Sequence, residues 1–168
     1  MGLTNRKADK IVELFYEYPS QKFTVREIAK KTKVPKSTAQ QYLLELKEKK
    51  LIDEKNQAAS TPLFKVKKVN FYIEKIVKSG IIEKLAQELN PSCIILFGSI
   101  RKGDSTYESD IDLFIEAPLS KDINTQSYEK KIKHKIQLFI EKDIKNLQPQ
   151  LFNNVINGIK LYGSFALR

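Results

Sequence analysis

The chain has 168 residues and a formal net charge of +10, with 41% hydrophobic and 30% charged residues. This composition suits one medium or two small packed domains. The apolar run Cys93–Phe97 is far shorter than the ~20 residues that a membrane span needs. A single cysteine and a single histidine cannot build the usual zinc sites, and Cys93 reads as a buried structural thiol. Since the N-terminus has no apolar leader, we expect a cytoplasmic protein without membrane contacts.

The positive charge is concentrated in the first part of the chain. Residues 1–68 contain 16 lysines and arginines against 8 acidic residues, whereas residues 69–168 contain 14 against 12. Lysine supplies 26 of the 30 basic residues, which favours contacts with phosphates irrespective of base sequence. A surface that only keeps a protein soluble would carry its lysines evenly, so we expect a polyanion partner for residues 1–68.

The basic part begins with three predicted helices. Residues 5–18 place apolar side chains on one helical stripe, which Pro19 ends. Thr24 and Glu27 have the spacing of a capping box, in which each residue satisfies a backbone amide at the start of the second helix. A break at Lys33-Val34-Pro35 separates that helix from a third, whose outer face is polar and basic.

The segment after the third helix predicts a wing. Leu51–Lys55 and Leu63–Lys67 read as two strands around a loop, so that residues 1–68 resemble a winged helix-turn-helix domain that binds double-stranded DNA. Such domains often bind paired half-sites as two-fold dimers, which adds a homodimer to the expectations. A helical protein-docking module is the alternative. The predicted DNA contacts are Lys36, Ser37, Gln40, Gln41, Lys47 and Lys65.

Residues 69–168 predict a connecting helix and a second domain. Strands alternate with helices there, which indicates a fold of the α/β (α+β) class with a small sheet and flanking helices. The predicted helices are Asn70–Lys78, Ile81–Leu89 and Gln126–Lys133, with helical material to about Gly158, and the predicted strands are Ser92–Phe97, Asp110–Glu116 and Lys135–Glu141.

Two acids stand in the second of these strands. Residues two apart face the same side, so Asp110 and Asp112 would lie roughly 6.6 Å apart while Ile111 points into the core. Adjacent carboxylates repel each other unless a cation lies between them, and Mg²⁺ prefers oxygen ligands. Upstream, Gly98-Ser99 follows a strand, where glycine permits close approach of a phosphate and the hydroxyl and amides can bind its oxygens. Lys102 adds a cation.

This set of residues resembles the signature of the minimal nucleotidyltransferases of the polymerase-beta-like superfamily. The resemblance rests on Gly98-Ser99, Lys102-Gly103 and Ser109-Asp110-Ile111-Asp112-Leu113, and it covers residues ~82–165. It implies that Gly98, Ser99 and Lys102 hold a nucleoside triphosphate. It also implies that Asp110 and Asp112 are the catalytic ligands of Mg²⁺ or Mn²⁺.

The activity implied is transfer of a nucleotide, most plainly AMP from ATP, to a protein or small acceptor. Small domains of this family often act as antitoxins that are paired with a helical HEPN-type toxin, which adds such a toxin to the partners that the resemblance implies. An antitoxin that binds DNA could also repress its own operon.

One position departs from the family pattern. The family usually places a third carboxylate on the neighbouring strand, where this sequence has Gln137, and Glu141 lies roughly 13 Å further along that strand. A neutral amide cannot replace a carboxylate as a base or a metal ligand. The alternative function is therefore a transcriptional regulator whose second domain binds nucleotide or metal with weak or no catalysis.

Overall fold

The computed structural model describes residues 6–118 and 121–166, and the chain divides into two compact units between Lys68 and Val69. Asn5, at the predicted start of the first helix, lies outside the described residues. Across the described ranges, no helix combines the length and the apolar character that crossing a bilayer requires.

The N-terminal unit is built from helices that share one apolar core. Its helices are α1 (Arg6–Glu17), α2 (Val25–Thr32), α3 (Lys36–Glu48) and the first part of α4 (Pro62–Ser79). Ile11, Phe15, Ile28 and Ala39 are fully buried, because the apolar positions of α1, α2 and α3 recur at helical spacing and face one another. The rings of Phe15 and Phe23 meet edge to face with centroids 5.4 Å apart.

The predicted capping box is confirmed. The Glu27 amide donates to Thr24 Oγ1 at 3.2 Å, and the Thr24 amide donates to Glu27 Oε2 at 2.7 Å. Two amides that α2 cannot pair internally are thereby satisfied. These contacts also hold the pKa of Glu27 below its ordinary value, because they stabilise the ionised carboxylate.

The predicted second wing strand is wrong. Leu63–Lys67 lies within helix α4, and among the described residues before α4 the only strand pairing is an isolated antiparallel bridge between Ile52 and Ala58. The Thr61 side chain accepts a hydrogen bond from the Phe64 amide at 3.2 Å, and Pro62 stands at the first helical position. A Thr-Pro start is a strong helix signal that outweighs the strand-like composition of the residues after it. The connecting helix therefore begins at Pro62 rather than at Asn70.

The C-terminal unit contains a four-stranded mixed sheet with flanking helices. The α/β class and the small sheet that the sequence predicted are confirmed. Its elements after α4 are α5 (Ile81–Leu89), β1 (Cys93–Phe97), α6 (Gly98–Lys102), β2 (Ile111–Glu116), α7 (Gln126–Ile132), β3 (Ile136–Glu141), a 3₁₀ turn (Ile144–Asn146), α8 (Pro149–Ile156) and β4 (Ile159–Gly163).

The strand order in this sheet is β3-β2-β1-β4. Strand β1 is antiparallel to both β2 and β4, whereas β2 and β3 are parallel. The sequence analysis did not predict β4, and it placed Asp110 inside the second strand, although β2 begins one residue later.

Both faces of the sheet are covered, so its central strands are almost wholly buried. Ile111, Leu113 and Ile115 are fully buried on one face of β2. On the other face, Phe114 belongs to a core cluster with residues of β1, the 3₁₀ turn and α8. The thiol of Cys93 lies in that cluster, and burial raises its pKa, as expected for a structural cysteine. The residues of the cluster are Cys93, Ile95, Phe97, Phe114, Ile144 and Val155.

Candidate functional site

The sheet register brings the predicted site residues to one end of the sheet. Asp112 pairs with Phe97 of β1 on one side and with Gln137 of β3 on the other. Gly98 follows Phe97 directly, so the Gly-Ser turn, the acid pair and Gln137 converge although up to 39 positions separate them in the sequence. The register also agrees with the predicted position of Gln137 beside the two acids.

Gly98 is required by the carboxylate beside it. Its φ is +74°, a left-handed conformation that favours glycine, and a Cβ built there would overlap Asp112 Oδ2. Helix α6 starts at this residue and ends at Lys102, and the amide of the following Gly103 donates to the Ile100 carbonyl at 3.1 Å. Ser99 is half-buried and Lys102 is exposed, both on this single turn of helix.

Asp110 is positioned by the turn that precedes β3. The Ile111 amide donates to the Lys135 carbonyl at 2.8 Å, and His134 Nδ1 lies 2.6 Å from the Ser109 carbonyl oxygen. These two contacts fix the backbone on both sides of Asp110. Gln137 Nε2 then donates to Asp110 Oδ2 at 2.6 Å. The residue in place of a third carboxylate therefore binds one of the two acids directly.

Asp112 carries an electrostatic strain that a cation would relieve. Burial raises the pKa of Asp112 above its ordinary value, and the negative charge of Asp110 raises it further. Two carboxylates with one open side supply hard oxygen ligands of the kind that Mg²⁺ prefers, with phosphate oxygens or waters completing its shell. Among the described residues, no group of three or more His, Cys, Asp or Glu side chains is arranged to hold a metal ion.

The predicted DNA contacts occupy three different settings in the N-terminal unit. Lys36, Ser37, Gln40 and Gln41 are exposed along α3. Lys47 is half-buried, and its Nζ lies 3.2 Å from the Glu54 carbonyl oxygen and 3.5 Å from Glu54 Oε2. Lys65 is exposed on α4 rather than on a wing strand.

Sequence reasoning missed the parts played by His134 and Lys135. The lone histidine was considered only as a zinc ligand, whereas its imidazole is 5% exposed and supports the residue before Asp110. Lys135 acts through its backbone carbonyl, which any residue type possesses. Such contacts leave no signal in the sequence because they depend on the pairing of β2 with β3.

The fold and the site together define a class of protein. A mixed sheet with a Gly-Ser turn after one strand and an acid pair on the next has the architecture of a nucleotidyltransferase domain. Residues 79–166, more than half of the chain, match the family described as Polymerase beta, Nucleotidyltransferase. The chain therefore belongs to the polymerase-beta-type nucleotidyltransferase family. A comparison with curated proteins finds no match.

The raised pKa of Asp112 predicts a stability change that depends on pH. In metal-free protein, Asp112→Asn should raise the melting temperature near neutral pH, because it removes an ionised carboxylate that burial and Asp110 disfavour. The folded-state pKa lies above the unfolded one, so wild type recovers stability as pH falls and the variant's advantage shrinks in acid.

Thermal melts in chelator across a pH series measure this effect. The matched control is Asp122→Asn, which removes an exposed carboxylate elsewhere in the same unit. An Asp112→Asn gain that is equal at all pH values, or a loss of stability at neutral pH, would contradict the electrostatic explanation.

Proposed function

We propose that the C-terminal unit transfers a nucleotide, with AMP from ATP as the first candidate, to a protein or small acceptor in an Mg²⁺- or Mn²⁺-dependent reaction. The observation that carries the proposal is the position of Asp112, which packs against Gly98 while Asp110 lies two residues away. This places two potential metal ligands beside a turn of backbone that a phosphate could approach closely. Membership of the family supports the same reaction class.

Each residue at the site has a proposed task. Gly98 leaves room for the triphosphate, the Ser99 hydroxyl binds its oxygens, and Lys102 contributes positive charge. Asp110 and Asp112 would hold the metal ion, which supplies charge stabilisation for the leaving pyrophosphate. Protein groups that are already fixed by the fold stabilise developing charge efficiently, because they need no reorganisation during the reaction. A HEPN-type helical toxin as a partner of the chain rests on the family resemblance alone.

The proposal predicts loss of both nucleotide coupling and transfer when the acids are neutralised. Mg²⁺ with ATP should raise the melting temperature of wild type, because a ligand that binds only the folded state stabilises it. The double variant Asp110→Asn/Asp112→Asn should lose this rise, and label transfer from α-labelled ATP should fall by about 10²-fold or more.

The control for this experiment is again Asp122→Asn, which should behave as wild type in both assays. If the double variant keeps the full stabilisation by Mg-ATP, the nucleotide binds elsewhere and the proposed site is wrong.

Gln137 favours a second candidate function for the same unit. Its amide is bonded to Asp110 and cannot accept the acceptor's proton, so we infer weak transfer with nucleotide binding retained. On this alternative, the protein is a regulator that senses nucleotide or metal.

Restoring the third acid separates the two candidates. Gln137→Asp should raise the rate of nucleotide transfer by about tenfold or more, because it supplies a base and a third oxygen ligand beside Asp110 and Asp112. It should lower the melting temperature of the metal-free protein, since three carboxylates repel one another, and Mg²⁺ should reverse that loss. Gln137→Asn is the matched neutral control. A fast wild-type rate that Gln137→Asp reduces would refute the inferred impairment.

We further propose that the N-terminal unit binds double-stranded DNA through α3. The excess of positive charge in residues 1–68 supports this proposal, as does the exposure of the polar α3 residues Lys36, Ser37, Gln40 and Gln41. Lys47 contributes less than the sequence suggested, because Glu54 already engages its ammonium group. Lys65 would contact DNA from helix α4 rather than from a wing strand. Dimeric binding to paired half-sites is part of the same proposal.

Lys36→Ala/Gln40→Ala in the full chain should weaken duplex binding by roughly tenfold at low salt, through loss of a phosphate contact and a polar contact. Wild-type affinity should fall steeply with salt, because bound lysines release counterions from the duplex. Fluorescence anisotropy with random-sequence duplex DNA measures both effects. The matched control is Gln21→Ala/Lys22→Ala, the same residue types outside α3. Wild-type affinity that does not change with salt, or an equal loss of affinity in both variants, would argue against α3 as the DNA-contacting helix.

A further inference from the structure

Helix α4 has apolar side chains on two faces. One face packs within the chain, where Phe64 and Ile76 are buried. The opposite face carries a second stripe, whose members are Leu63, Val66, Asn70, Ile73 and Val77. Among the described residues, six large hydrophobic side chains are exposed, and three of them belong to this stripe: Leu63 is 49%, Val66 55% and Val77 41% exposed. Soluble proteins seldom leave a row of apolar side chains in water, so this face indicates a binding partner.

The stripe has the spacing of a coiled-coil seam. Its residues follow one another at intervals of three, four, three and four, which is the a and d pattern of a heptad repeat. Leu63, Asn70 and Val77 stand at a positions, and Val66 and Ile73 stand at d positions. Such a seam is completed by another helix with the same spacing, because the side chains of each helix insert between those of the other. A second copy of α4 supplies that helix.

The charges beside the seam favour an antiparallel pair of helices. Lys67 and Glu74 hold the e positions, and both are exposed. In an antiparallel pair, e positions face e positions, so each Lys67 meets Glu74 of the partner subunit and two ion pairs form by symmetry. In a parallel pair, e positions face g positions, where Val69 and Ile76 are buried within their own chain. Glu74 Oε2 lies 2.7 Å from Lys78 Nζ of its own helix, and a carboxylate accepts from more than one ammonium group.

Asn70 at the centre of the stripe suits an interface between two copies of the chain. A polar residue at a single a position lowers the stability of a helix pair but fixes its register, because a shift would leave the amide unpaired among apolar side chains. In the antiparallel pair, Asn70 lies opposite Ile73 of the partner subunit and close to the two-fold axis. The amides of both copies are therefore near each other.

We propose that the outer stripe of α4 is a dimer interface, at which two copies of this chain pair their α4 helices antiparallel around a two-fold axis near Asn70. Val66 of one copy packs against Val77 of the other, and Lys67 forms an ion pair with Glu74 of the partner subunit. The stripe covers about four helical turns, so we expect a weak dimer with a dissociation constant in the micromolar range. This pairing requires neither DNA nor nucleotide.

Sedimentation equilibrium of the full chain across the micromolar range, without DNA or nucleotide, tests the interface. Val66→Glu/Val77→Glu should raise the dissociation constant of the dimer by about tenfold or more, because it removes apolar contacts and puts like charges into the seam. The matched control is Leu44→Glu/Tyr162→Glu, which places the same charges at exposed hydrophobic positions outside α4 and should dimerise as wild type does.

Charge reversal tests the antiparallel orientation, and it is a second test of the interface if Val66→Glu/Val77→Glu does not fold. Lys67→Glu and Glu74→Lys should each weaken the dimer by roughly fivefold or more, since two attractive pairs become repulsive. The combined variant Lys67→Glu/Glu74→Lys should recover most of the wild-type affinity, because the same pairs form again with their signs exchanged. A combined variant that dimerises no better than the single variants would refute the antiparallel pairing.

A wild-type chain that stays monomeric across this range, or a Val66→Glu/Val77→Glu variant that dimerises as well as wild type, would overturn the proposed interface. Duplex binding is measured separately by anisotropy, so the two proposals can fail independently. Salt-dependent binding of DNA by a monomeric wild type would refute the α4 dimer alone. A dimer that depends on the stripe but binds no DNA would support the interface and refute the DNA-binding function.

Discussion

The close contact between the Asp112 carboxylate and Gly98 is the constraint on which the rest of the site depends. A side chain at residue 98 would occupy the position of Asp112 Oδ2, and the backbone there has a positive φ that glycine adopts without strain. The end of β1, the start of α6 and the register of β2 are therefore set together. A nucleotide bound at the turn would meet a carboxylate that is already in place.

The same contact explains the electrostatics of the site. Asp112 is half-buried because it packs beside β1, and this burial, together with the charge of Asp110, disfavours its ionised form. A bound cation would reverse that penalty, whereas the amide of Gln137 donates a hydrogen bond to Asp110. Asp112 is thus positioned by the Gly98 turn, and Asp110 is held by the amide of Gln137.

The parallel pairing of β2 with β3 has a further consequence at their N-terminal ends. It brings the lysine-rich turn after α7 next to Asp110 and ties the two together by the bond from the Ile111 amide to the Lys135 carbonyl. Strand β3 lies at the edge of the sheet, so this side of the acid pair stays open.

The sequence by itself determined the class of the fold and the residues of the candidate site. Gly98-Ser99 and the pair Asp110 and Asp112 are local patterns. The strands and helices were also predictable, because the spacing of apolar residues within each segment indicates which positions are buried. The capping box of Thr24 and Glu27 was equally predictable, because its bonds join residues three apart. The strand predicted at Leu63–Lys67 was wrong. The composition of this segment suits a strand, but Thr61 and Pro62 before it start a helix.

Only the tertiary structure decided which distant groups meet. The hydrogen bond from Gln137 to Asp110 and the support of Ser109 by His134 both follow from the register between strands. A register is fixed by the packing of both sheet faces at once, and shifting it by one residue would turn every side chain to the opposite face. That information belongs to the whole sheet, and no single segment of the sequence contains it.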